Sequence, residues 1–99
     1  MKSIQLDCTG FVWDDGNRNK NLLKHHVSNG ECEEIFFNQP LIIINDNKHS
    51  QNEVRYSAFG KTDSCRLLTI IYTVRTELIR IISARDMSRK ERKYYEKHS

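Results

Sequence analysis

Two β-branched runs, Arg66–Val74 and Leu78–Arg85, are separated by only Arg75-Thr76-Glu77. A parallel crossover needs a dozen or more residues, so a connection this short favours pairing as an antiparallel hairpin. That hairpin limits the chain to folds built around an antiparallel sheet. Leu41-Ile42-Ile43-Ile44, ended by Asn45-Asp46-Asn47, reads as a further strand. Glu53 to Phe59 alternates as another, with Gly60-Lys61-Thr62-Asp63 as its turn.

Upstream of this sheet the period is helical. Phe11-Val12-Trp13 reads as a short first strand. Asp14 or Asp15 can cap a helix running to about His25, with Leu22 and Leu23 facing inward. Ser28 and Glu31 have capping-box spacing, and Val27 can staple onto Cys32. The second helix carries Ile35 and Phe36 on its apolar side and ends at Asn38-Gln39-Pro40. Ser88 and Glu91 repeat the capping-box spacing and open a last helix. The expectation is one α+β domain over residues 1–99. In it, N-terminal helices and a C-terminal helix pack on one antiparallel sheet of three to four strands.

The chain has 99 residues, 29% charged and 37% hydrophobic, in the range of an ordinary soluble domain with a modest core. The start, Met1 to Asp7, lacks an apolar h-region, and no run approaches the roughly 20 apolar residues that span a bilayer. The expected compartment is the cytoplasm, with no membrane partner. Cys8, Cys32 and Cys65 are odd in number and form no C-x-x-C pair, so they read as buried or incidental thiols. His25, His26, His49 and His98 have no metal-ligand spacing, and no metal or cofactor is expected. His49 lies in a polar loop, where an exposed imidazole can serve acid–base chemistry. Phosphate-binding glycine loops and nucleophile-elbow motifs are missing from the sequence.

The net charge of +3 resides entirely at the C-terminus. Residues 85–99 hold six basic and three acidic residues, whereas the first 84 hold ten of each sign. Arg89, Arg92 and Lys93 in the last helix, together with Lys24, are candidates for binding RNA through its phosphates. The plain alternative is a solvated helix with i,i+4 ion pairs. Tyr94 and Tyr95 interrupt these cations. One of them is expected to pack on the sheet, and the other to face outward, where base stacking is open to it.

Arg80 and Arg85 bracket an apolar strand. A guanidinium there needs a partner, either a carboxylate (Glu53, Glu77 or Asp86) or a ligand phosphate. Within a regular strand the two arginines have opposite parity and face opposite sides. Glu53 and Arg55 fall on one face of their strand, as an ordinary ion pair or as a base beside an anion stabiliser.

Taken in order, these residues resemble the BrnT family of toxins from type II toxin–antitoxin systems. The resemblance runs through Phe11-x-Trp13-Asp14, Asn21, Lys24-His25-x-Val27-Ser28, Glu31, Phe36 and Pro40. It continues through His49-Ser50, Glu53-x-Arg55, Gly60, Ile79 to Arg85, Glu91-Arg92 and Tyr95-Glu96. The chain departs from the pattern at Asn17, where a lysine is usual, at His26, where glycine is usual, and at Asn29-Gly30.

The resemblance implies a RelE-like fold and a ribonuclease that cleaves RNA without metal and arrests translation. It also implies neutralisation by a BrnA-like antitoxin with a ribbon–helix–helix domain, through which a complex, possible as a dimeric assembly, meets operator DNA. Under it, Arg55, Arg80 and Arg85 hold phosphate, Glu53 or His25 is the base, and Tyr95 or Lys24 is the acid. Two other readings share the basic C-terminus: a nucleic-acid-binding module without catalysis, and a structural partner of a small neighbouring protein.

Overall fold

The computed structural model describes residues 8–46 and 53–98. His49 and Ser50, which carry part of the resemblance, lie outside the described residues.

The hairpin is the centre of the molecule. Strands β4 (Leu67–Arg75) and β5 (Leu78–Asp86) pair antiparallel through a tight turn at Thr76 and Glu77. Both turn residues have positive φ, 50° and 66°. This doubly left-handed turn matches the twist of the flanking strands. β3 (Tyr56–Lys61) pairs with β4, and β2 (Ile42–Asn45) pairs with β3, both antiparallel.

The sheet departs from the expected three to four antiparallel strands. Among the described residues it has five, in the order β1-β5-β4-β3-β2, and it is mixed. β1 is only Gly10–Phe11 and runs parallel to β5 at Leu78 and Ile79. Two residues are too few to show a period, and a parallel partner 68 positions away leaves no local signal. Val12 continues the pairing by donating its N–H to the Ile79 carbonyl at 3.0 Å.

The first helix also differs. Residues Asp14 to Arg18 form a turn in which the Asn17 and Arg18 amides donate to the Asp14 carbonyl. Helix α1 begins only at Lys20 and ends at His25. Leu22 and Leu23 face outward, at 43% and 84% exposed, and Asn21 is the buried residue. Past Ile79 no strand among the described residues lies beside the outer edge of β5, so its backbone groups need polar partners. Asn17 Nδ2 donates to the Ile81 carbonyl, and Asn21 Oδ1 accepts from the Ala84 amide, both in buried positions. A leucine at either place would leave a buried backbone group unsatisfied.

Helix α2 (Asn29–Glu34) opens with the expected capping box. Ser28 Oγ accepts from the Glu31 amide at 3.1 Å, and Glu31 Oε1 accepts from the Ser28 amide at 2.9 Å. Val27 and Cys32 are both fully buried in the main core. A 3-10 turn, Ile35–Phe37, follows and presses on β3. Gly60 lies in β3, not in the turn expected there; the connection to β4 starts at Thr62. A Cβ on Gly60 would meet Ile35 Cβ at 3.0 Å, so the glycine permits the close approach of the 3-10 turn.

The sheet has apolar packing on both faces. Leu68, Ile70 and Tyr72 of β4, with Ile79, Ile81 and Ala84 of β5, meet Val27, Cys32, Ile35 and Phe36 on one side. On the other side helix α3 (Arg89–His98) lays Tyr95 beside Phe59 and Met87, flanked by Ile42 and Leu67. The α3 capping box is present, with the Ser88 amide donating to Glu91 Oε1 and the Glu91 amide donating to Ser88 Oγ. Among the described residues no helix is long and apolar enough to cross a membrane. Cys8, Cys32 and Cys65 form no disulfide, and burial pushes the Cys32 thiol up to about 12, which keeps it protonated and unreactive.

Candidate functional site

The parity that separates Arg80 from Arg85 in a regular strand does not hold in β5. Tyr72 pairs with Ile81 and Ile71 pairs with Ser83, so Ile82 is an extra residue opposite no partner. Such a β-bulge reverses the alternation beyond it. Ile79 and Ile81 are buried before the bulge and Ala84 after it. The β4 partners confirm the geometry. Arg80 stands opposite Thr73 and Arg85 opposite Thr69, and β4 alternates without a break between them. Both arginines therefore lie on the α3 face of the sheet. Their partners lie four positions apart on β4, roughly 13 Å along the strand.

Around Arg80 this face opens into a cleft of about 180 Å³. Lys20, Arg55, Arg75 and Arg80 line it together with Glu53. Arg80 is 16% exposed at its side chain, and its Nη1 donates to Asp14 Oδ2 at 2.8 Å. The carboxylate partner is thus Asp14, not Glu53, Glu77 or Asp86. Gly16 makes room for the guanidinium: a Cβ there would meet Arg80 Nη2 at 2.9 Å. The hydrogen bond from Arg80 holds the Asp14 carboxyl below its ordinary range.

Glu53 is gripped by Arg75 through two parallel hydrogen bonds, Nε to Oε2 at 3.2 Å and Nη2 to Oε1 at 3.0 Å. These bonds, aided by the charges of Arg55 and Arg80, hold the Glu53 carboxyl below its ordinary range. Strand β3 begins only at Tyr56, so Glu53 and Arg55 precede the pairing, yet both reach the cleft. Lys20 arrives from the first turn of α1 and donates from Nζ to the Ile82 carbonyl at 3.3 Å.

The remaining candidates lie elsewhere. Arg85 points to α3, where Nη1 and Nη2 bond the two oxygens of Glu91 at 2.7 and 2.9 Å. Glu91 also accepts from Thr69 Oγ1 and the Ser88 amide. With the Arg85 hydrogen bond as the largest cause, its carboxyl falls to about 2. Tyr95 is 5% exposed and its hydroxyl donates to the Pro40 carbonyl at 2.6 Å, so it anchors α3 in the core. Lys24 is exposed on α1, and His25, at the helix end, contributes charge near Asp86 rather than near Glu53. Arg89, Arg92 and Lys93 are exposed on α3, with Arg92 Nη1 donating to the Met87 carbonyl.

Sequence reasoning missed Lys20 and Arg75 as cleft residues. Arg75 sat in an expected turn, and only the hairpin brings it beside Glu53. Lys20 lies one turn before Lys24, on the side of α1 that faces β5.

Residues 13–91 match the family model described as the ribonuclease toxin, BrnT, of a type II toxin–antitoxin system. The chain belongs to the BrnT family. The match runs from Trp13, beside Asp14, to Glu91, the partner of Arg85, and so contains both arginine clusters. A BrnT-family chain is a ribonuclease toxin whose system includes an antitoxin. Within this family member, Asn17 stands where the resemblance calls for lysine, and it is buried against β5; Lys20 supplies a cation to the same cleft. No curated protein matches the chain.

Proposed function

We propose that the Arg80 cleft is the active site of a metal-independent endoribonuclease. The observation that carries this reading is the gathering of Lys20, Arg55, Arg75 and Arg80 around the Glu53 carboxylate. In-line attack of a 2′-hydroxyl on the adjacent phosphorus builds a second negative charge on the phosphoryl oxygens. Four fixed cations supply the compensation that a metal ion would otherwise bring. Guanidinium forks match phosphate oxygens in pairs, and preorganised donors of this kind contribute strongly to transition-state stabilisation.

Glu53 is the base in this scheme. Ionised, it takes the 2′-hydroxyl proton as the new P–O2′ bond forms and the P–O5′ bond breaks. The Arg75 hydrogen bonds keep it ionised near neutral pH, ready to accept a proton, and lower its proton affinity below that of an ordinary glutamate. Lys20 protonates the departing 5′-oxygen in this scheme, because it lines the cleft and Lys24 and Tyr95 do not. The products are a 2′,3′-cyclic phosphate and a 5′-hydroxyl. Cleavage of cytoplasmic RNA in this way would arrest translation.

A BrnA-like ribbon–helix–helix antitoxin neutralises the enzyme by covering the cationic face with acidic and apolar side chains. Operator DNA is then met by the antitoxin part of the complex. The test is incubation of the pure protein with labelled RNA in excess chelator. New ends bearing cyclic phosphate and 5′-hydroxyl support the reading; RNA that is bound but left intact assigns the protein to the non-catalytic class.

A further inference from the structure

The α3 face carries a second concavity, about 220 Å³ in volume, between β2, β3 and α3. Its walls are Ile44, Phe59 and Tyr94, with Lys90 and Glu91 at the rim. Ile44 and Tyr94 are each 38% exposed. Glu91 is already occupied by Arg85, Thr69 and Ser88, so it adds little free negative charge to the rim.

We propose that this groove holds a nucleobase of the same RNA strand whose phosphate sits in the Arg80 cleft. The inference rests on the reading of that cleft as the RNA site. Three observations select a base as the occupant. The groove is continuous with the cationic face: Phe59 pairs with Thr69, which pairs with Arg85 on the way to Arg80. Its rim carries the Lys90 cation beside the Arg85–Glu91 ion pair, which leaves Lys90 as the unbalanced charge among the groove's lining residues. Its walls are aromatic and held in place. Tyr94 stacks on His98 at 4.1 Å and tilts against Phe59 at 6.0 Å and 59°. His98 in turn bonds the Tyr94 carbonyl at 2.9 Å. A pre-set aromatic wall beside a cationic track is the arrangement by which proteins hold single-stranded RNA without reading its sequence.

The spacing sets which base enters. Thr69 and Thr73 lie roughly 13 Å apart along β4. The base therefore belongs to a nucleotide near the scissile phosphate, not adjoining it. Stacking tolerates any base, so this subsite adds affinity and register, with a preference for larger ring systems.

The test measures RNA and inorganic tripolyphosphate binding by wild type, Tyr94→Ala and Tyr94→Phe. It includes a set of RNAs in which one nucleotide at a time is abasic. Tyr94→Ala should weaken RNA binding about 5- to 100-fold, the range for losing one base stack. It should leave tripolyphosphate binding unchanged, and Tyr94→Phe should keep the wild-type RNA affinity. One abasic position should weaken wild type and have no further effect on Tyr94→Ala. Equal RNA affinity of wild type and Tyr94→Ala overturns the subsite alone, as does a parallel loss of RNA and tripolyphosphate binding. Retained RNA affinity with weakened antitoxin binding assigns the groove to a protein partner and likewise overturns it. A wild type that neither binds nor cuts RNA overturns the cleft reading, and this inference with it.

Discussion

Arg80 and Arg85 face the same side of β5 because Ile82 is inserted between them without a partner on β4. The bulge places both guanidinium groups on the face that α3 partly covers. It does not bring them together: one is held by Asp14 at one end of the face, the other by Glu91 at the opposite end. A single RNA strand laid along the face would meet both.

The bulge makes an unusual deletion tolerable. Removing Ile82 leaves Tyr72 opposite Ile81 and Ile71 opposite Ser83, which is a regular ladder. Every other β5 side chain keeps its face. The Ile82 deletion should therefore fold, with a stability loss of about 1 kcal/mol from the lost Lys20 contact and local repacking. Circular dichroism melting checks this; a chain that fails to fold contradicts the assignment of Ile82 as the extra residue.

Arg66 has a structural role. Its Nε and Nη2 bond Asp86, and its Nη1 bonds Glu31 and the His26 carbonyl. It thus ties the start of α2 to the end of β5. Replacing Arg66 by Ala should cost about 1–3 kcal/mol in denaturant unfolding. RNA affinity per folded molecule should be unchanged, because the side chain lies outside the cleft.

Glu91 gives the protein an acid limb. Its carboxyl lies at about 2 in the folded state against an ordinary 4.5, so folding favours the ionised form. The stabilisation is complete above about 4.5 and is lost as pH falls toward about 2. Asp14, Glu31 and Asp86 are shifted in the same direction. Glu91→Gln should flatten this acid dependence in thermal melts between these limits. A wild-type stability independent of pH in that window would contradict the Glu91–Arg85 pairing.

Glu53→Gln separates catalysis from binding. It removes the proposed base and a negative charge from a cationic cleft. RNA cleavage should fall roughly 10²–10⁴-fold, while RNA affinity holds or rises. The two are read by single-turnover cleavage and by titration with a non-cleavable 2′-deoxy strand. Undiminished cleavage would remove Glu53 from the mechanism.

The hairpin, both capping boxes, the burial of Val27 and Cys32 in one core and the inward packing of one of the two tyrosines were legible because each is a local pattern. The family was legible from the order of many weak signals between Trp13 and Glu91. β1 was read at Phe11 to Trp13, one residue late, and its parallel pairing with β5 left no trace in the sequence. The helix was placed too early and with the wrong face inward. Leu22 and Leu23 suggested an apolar stripe, but the surface α1 meets is an unpaired strand edge that selects Asn17 and Asn21. The bulge was invisible too, since Arg80-Ile81-Ile82-Ser83-Ala84-Arg85 gives no sign of which residue is extra. The arginines were therefore expected on opposite faces unless the strand ended or twisted before Arg85. Of the site, Glu53, Arg55 and Arg80 were legible as residues; Lys20 and Arg75 were not, because only tertiary pairing brings them in.

The most direct test of the account is single-turnover RNA cleavage by wild type and Arg80→Ala, in chelator, with folding of both checked by melting. Arg80 donates to the exposed Asp14, so its loss should leave the protein folded. The account predicts metal-free cleavage by wild type and a loss of at least about 10²-fold in the variant, of the size seen when one preorganised oxyanion donor is removed. Equal cleavage by a folded Arg80→Ala protein would contradict it.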